Sequence, residues 1–112
     1  MKINKEDVFD LVCQVVRLIP KGKVTTYGAI AKCIGLKHGA RMVGYAMSGA
    51  HRMRGLPAYR VVNSQGMLSG KHHFGSPNRM QQLLEEEGIV IVNDKILHFK
   101  EHFWDPATSM GM

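Results

Sequence analysis

The chain has 112 residues, 45% of them hydrophobic, which suits one compact domain with a sizeable core and is too short for two. No apolar window approaches the length of a membrane span and the N-terminus lacks a signal-peptide pattern, so a soluble, cytoplasmic protein is expected, nucleoid-associated if bacterial. Against 9 Asp and Glu stand 15 Lys and Arg, and the net charge of +6 favours nucleic acid or another polyanion as partner.

Asn4 is placed to cap a first helix, with Asp7 in a capping-box position. Val8, Val12, Val15 and Ile19 then recur at three- and four-residue spacing, giving one apolar stripe that ends at Pro20. Lys21-Gly22-Lys23 follows as a basic turn, either a solvated loop or a phosphate contact. Thr25 and Thr26 are N-cap candidates for a second helix, which runs through Ile30 and Ile34 and stops at Gly35. A third helix is expected from about Ala40 to Met47, with Gly49 as its stop. Two short helices joined by a tight glycine-containing connection make a helix-turn-helix. On the third helix Met42, Val43, Ala46 and Met47 form the inward face, while Arg41, Tyr45 and Ser48 share the outward one. The two cysteines, Cys13 and Cys33, lie in helix-like apolar patterns and are expected as buried thiols in a reducing compartment.

His51-Arg52-Met53-Arg54 reads as a solvated basic loop, and Leu68 to His73 as a polar, basic loop or wing. The paired His72 and His73 have no nearby carboxylate or cysteine to complete a ligand set, so neither metal nor other cofactor is expected. Ser76 and Pro77 supply the N-cap and first turn of a fourth helix, with Met80, Leu83 and Leu84 as its apolar face and Gly88 as its stop. Ile89 to Val92, the turn residues Asn93-Asp94, and Lys95 to Phe99 form a hairpin. Phe103 and Trp104 are expected to anchor on the core, and the tail from about residue 106 to 112 to fray. The fold class is therefore mainly α with a small β hairpin or wing, a winged helix-turn-helix-like DNA-binding domain spanning residues 1–112.

Between these elements lies Leu56 to Lys71. Pro57 fixes the chain before the β-branched pair Val61-Val62, and Asn63 to Gly66 supply turn residues, which gives a rigid loop feeding a strand. Pro57-Ala58-Tyr59-Arg60-Val61 resembles the Pro-Cys-His-Arg-Val active-site segment of the O6-alkylguanine-DNA alkyltransferases. Ile19 to Ala31 is similar to that family's segment leading into its helix-turn-helix. Arg41-Met42-Val43-Gly44 is similar to the family's Arg-Ala-Val-Gly recognition helix, and counting on from Arg41, Pro57 arrives in register with the family's pattern, with no gap relative to it. Asn63-Ser64-Gln65-Gly66 with Ser69, and Glu85-Glu86-Glu87-Gly88, look more like the alkyltransferase-like branch. In that branch another residue, tryptophan or sometimes alanine, replaces the cysteine nucleophile.

The resemblance implies a set of roles. Tyr27 matches the tyrosine that presses on the target nucleotide's phosphate, and Arg41 the arginine that fills the vacated stack once the base is flipped. Tyr45 and Ser48 share the face that would enter the minor groove. Ala58 stands at the nucleophile position and Tyr59 where both branches carry histidine, while Ala50 replaces an asparagine of the transferases. The carbonyls of Ala58 and Val61 match acceptors for the guanine amino group. Ser69 and Lys71 match the loop over the flipped base, Lys71 as a cation above the purine face. Arg60 matches a loop-supporting arginine, and Glu87 the glutamate behind the family's histidine.

A thiolate is needed to attack an alkyl carbon, and the position that should carry it is alanine. The leading expectation is a non-enzymatic, monomeric sensor that binds and flips O6-alkylguanine in double-stranded DNA and flags it for nucleotide excision repair proteins. A winged helix-turn-helix regulator reading a DNA sequence, and an alkyltransferase using another residue, remain as alternatives.

Overall fold

A computed structural model describes residues 5–36 and 38–109. Helix α1 (Lys5–Arg17) buries Val8, Val12, Val15 and Val16, each no more than 2% exposed, and closes through turns from Leu18 to Val15 and Ile19 to Val16. Its expected cap, Asn4, lies outside the described residues. Strand β1 (Thr25–Thr26) leads directly into α2 (Tyr27–Cys33), where the Thr26 hydroxyl accepts from the Ala29 amide at 3.0 Å and so satisfies one orphan N–H of the first turn. Among the described residues no helix is long and apolar enough to cross a membrane.

Helix α3 (Ala40–Ala50) runs through Gly49 instead of stopping there. The glycine serves packing: a Cβ at position 49 would sit 3.1 Å from the Phe9 ring, so its absence lets α3 approach α1. Val43, Ala46, Met47 and Ala50 face inward, but Met42 is 46% exposed and does not belong to that face. At the helix-turn-helix join between α2 and α3, Gly35 follows α2 as expected.

The stretch after Pro57 is a 3₁₀ turn, Ala58–Arg60, followed by β2 (Val61–Val62). β1 and β2 pair in parallel, Thr25 with Val61 and Thr26 with Val62. Alternation along β2 sends Val61 into a core built by α1, α2 and α3 and Val62 into a second one. The second core collects Val24, Leu68, Met80, Leu84, Ile89, Ile91 and Ile96, and Phe74 packs against both. The central stretch is thus clamped between two hydrophobic clusters.

Beyond it come a 3₁₀ turn (Lys71–Phe74) and α4 (Arg79–Glu86). Helix α4 starts later than Ser76-Pro77 indicates, because the Ser76 carbonyl and hydroxyl are engaged by the amides of Arg79 and Asn78 in the preceding turn. Strands β3 (Ile91–Val92) and β4 (Lys95–Ile96) form the expected hairpin, with Asn93 and Asp94 both left-handed at φ 52° and 62°. Two short helices follow, α5 (Phe99–His102) and α6 (Pro106–Ser109). Trp104 anchors on the first core, whereas Phe103 is 36% exposed and stacks edge-on with Phe99. The expected fraying does not hold over 106–109: Asp105 accepts from the Ala107 amide and the Thr108 hydroxyl, Pro106 is buried, and α6 packs on α2. Residues 110–112 lie outside the described part.

The two glycines of α3 should respond oppositely to a side chain. Gly49→Leu forces the α1–α3 contact apart and should destabilise by about 1–3 kcal/mol in urea unfolding. Gly44→Ala, where a Cβ meets nothing within 4 Å, should stabilise by about 0.5–1 kcal/mol.

Candidate nucleic-acid interface

One carboxylate ties the central stretch to the rest of the chain. Glu87 ends α4 with its side chain only 6% exposed. Arg60 donates to it from Nε at 3.0 and 3.1 Å and from Nη2 at 2.6 Å, a fork-shaped, charge-assisted pairing. The Tyr59 hydroxyl donates to Oε2 at 2.6 Å, and the Gly22 amide to Oε1 at 2.9 Å. Arg60 Nη1 continues to the Ile19 carbonyl at 2.8 Å. Gly22 has φ +82°, a conformation that favours glycine and turns its N–H toward the carboxylate. Segments 19–22, 59–60 and 87 are thereby fixed to one another.

Burial alone would push the Glu87 carboxyl up, but hydrogen bonds from Arg60, Gly22 and Tyr59 outweigh it and hold the group below the ordinary carboxylate range. Burial and the bond to Glu87 push the Tyr59 phenol up, so it stays a protonated donor. Tyr59 therefore occupies itself with the carboxylate, in the position where the resembled family keeps a histidine. Its ring packs on the second core, and the Arg60 guanidinium lies 5.3 Å from the ring centre.

The other expected pocket residues fall into two groups. Ala58 and Val61 are 2% and 1% exposed, their side chains in the first core, and the Val61 amide bonds the Ala58 carbonyl within the 3₁₀ turn. Ser69 and Lys71 lie on the loop beside them. The Ser69 and Tyr27 hydroxyls stand 3.4 Å apart, which brings the start of α2 against that loop. Lys71 pairs with Asp94 at 2.5 Å, and the Leu68 amide bonds the Asp94 carbonyl, so the hairpin turn braces the same loop.

On α3, Arg41 is exposed and Tyr45 is 70% exposed, one turn apart on a common face, with the Ser48 hydroxyl donating to the Tyr45 carbonyl at 2.6 Å. Cys13 and Cys33 are buried in the first core, and desolvation pushes both thiols up. Among the described residues no three His, Cys, Asp or Glu side chains are placed to hold a metal ion.

Sequence reasoning missed His51. Read as part of a solvated loop, it instead stacks on His73 with ring centres 4.7 Å apart and planes 5° from parallel, and meets Phe74 edge-on at 4.6 Å. A lone Phe74 at the end of a polar, basic run was the available signal, but nothing in the order of residues names its partner.

Residues 7–89 match the family described as 6-O-methylguanine DNA methyltransferase, DNA binding domain. Alkyltransferase-like protein 1 of Schizosaccharomyces pombe is 39% identical over 103 residues, covering 88% of this chain and 92% of that protein. A DNA base-flipping protein of Vibrio parahaemolyticus is 41% identical over 92 residues, covering 82% of this chain and 90% of its own. The crystal structure of S. pombe Atl1 in complex with damaged DNA containing O6-carboxymethylguanine is similar with a TM-score of 0.80 at 35% identity, over 93% of this chain and 98% of that one.

Removing one partner of a largely buried ion pair strands the other, so Glu87→Ala should cost about 3 kcal/mol in denaturant unfolding. Because the folded carboxyl titrates below its unfolded value of about 4.3, its stabilisation is fully present above that pH and is lost as pH falls through the lower folded value. The stability gap between wild type and Glu87→Ala should accordingly stay constant from neutral pH down to about pH 5 and close in more acidic solution.

Proposed function

Because the chain belongs to the family of 6-O-methylguanine DNA methyltransferase DNA-binding domains and carries alanine where that family's motif has its cysteine, we propose that it reads O6-alkylguanine in duplex DNA without repairing it. The observation that carries this reading is the contrast between the two halves of the machinery. The match to the alkyl-accepting segment has lost its nucleophile at Ala58, while the residues that match the flipping step, Tyr27 and Arg41, are kept. The chain's two thiols offer no substitute, being buried and pushed away from the reactive thiolate form.

In this mechanism the face of α3 bearing Arg41, Tyr45 and Ser48 enters the minor groove. Unstacking a base costs a few kcal/mol, and the planar Arg41 guanidinium offsets part of that by filling the gap. Tyr27, at the start of α2, presses on the rotated phosphate, and its neighbour Ser69 closes over the flipped base. The Ala58 and Val61 carbonyls accept from the guanine amino group, and Lys71 exchanges Asp94 for the face of the purine. Tyr59, Arg60 and Glu87 keep the loop in shape. The protein acts as an intracellular monomer, nucleoid-associated in a bacterium, and hands the marked site to nucleotide excision repair proteins.

Binding to matched duplexes carrying guanine or O6-methylguanine, followed by mass measurement of the protein, tests this. The lesion duplex should bind more tightly with no methyl gain on the protein, and affinity for both should fall steeply with salt as counterions are released. Arg41→Ala should weaken lesion binding about tenfold, or about 1.4 kcal/mol, at unchanged melting temperature. Equal binding of the two duplexes, or a stoichiometric adduct, overturns the reading.

A further inference from the structure

We propose that His51 is a positioning residue for lesion recognition: stacked on His73 and braced by Phe74, its ring couples the end of the DNA-entering helix α3 to the loop that closes over the base. The inference rests on the lesion reading above and names a contact that this reading does not need.

His51 is the residue immediately after α3, its own amide still bonded to the Met47 and Gly49 carbonyls, so the ring moves with the helix. Its face lies on His73, within the 3₁₀ turn of the 69–74 loop, and its edge on Phe74, which reaches both hydrophobic cores. Gly70 is buried in the same assembly. A Cβ there would lie 3.1 Å from the Tyr27 hydroxyl and 3.5 Å from His51 Nε2, so this one loop residue is held between the start of α2 and the end of α3. Ser69, next to it, meets Tyr27. Displacement of α3 on DNA is therefore transmitted to Ser69 and Lys71 through the imidazole stack rather than through the longer chain path by way of residues 52–68.

The ring does this as an uncharged surface. Desolvation, and the neighbouring His73, lower the His51 pKa to about 4, and its Nδ1 is buried with no hydrogen-bond partner among the described residues. At neutral pH its removal changes no charge, so it leaves the phosphate attraction of the protein untouched while cutting the link from helix to loop. That separates the two quantities an experiment can read.

Fluorescence anisotropy with matched guanine and O6-methylguanine duplexes at neutral pH gives the lesion preference as a ratio of affinities. His51→Ala should lower that ratio about fivefold, the scale of one aromatic stacking contact, with affinity for the unmodified duplex held within about twofold. His51→Phe, which keeps a flat ring, should restore the ratio. His73→Ala, made on the exposed side of the stack, should reproduce the loss without touching the helix, and the double variant should be no worse than either single one. An unchanged ratio in both alanine variants overturns the proposal, as does an equal loss on both duplexes. A wild type with no preference overturns the lesion reading itself, and this inference with it.

Discussion

The Glu87 carboxylate is the constraint on which the rest of the site depends. It accepts from a guanidinium, a phenol and a backbone amide that come from two separate parts of the chain, residues 59–60 and Gly22. Each donor alone is a modest contact; together they make a mostly buried anion affordable, since an anion so placed is stable only when its lone pairs are filled. The 3₁₀ turn at 58–60 cannot shift without breaking that set. It carries the Ala58 backbone and leads into that of Val61, so the geometry of the backbone proposed to meet the flipped base is set by a group that need never touch it.

The second constraint is hydrophobic. β2 is only two residues long, yet Val61 and Val62 enter different cores, and β1 pairs alongside to lead into α2. The helix-turn-helix and the central stretch are thus joined through a parallel pair too short to stand alone. Packing from both sides holds it.

Much of this was legible in the residue order because it is local. The Thr26 cap, the stripe of α1, the Asn93-Asp94 turn and the exposed Arg41–Tyr45 face each follow from residues a few positions apart. Where local signals misled, a tertiary contact was responsible. Gly49 looks like a stop but makes room for Phe9; Met42 fits the apolar period yet faces out; Asp105 and α2 order a segment that composition marks as frayed. The Tyr59–Glu87 bond joins residues 28 apart, and the imidazole stack joins residues 51 and 73. Neither pairing has a periodic signature, so motif resemblance could name Tyr59 and Glu87 but spacing could not join them, and His51 was invisible to both.

The hairpin tip has a bearing on how such a protein changes its range over generations. Asp94 sits in a left-handed surface turn, outside both cores, and still holds the Lys71 ammonium and the Leu68 amide. The Lys71 cation of the proposed base-binding loop is thereby parked on a residue that folding tolerates in several forms, since Asn and Gly also accept that backbone conformation. Drift at a single turn position can release or restrain that lysine while the interior and helix α3 stay as they are. Under the proposed function, selectivity in this architecture is therefore adjustable from its periphery.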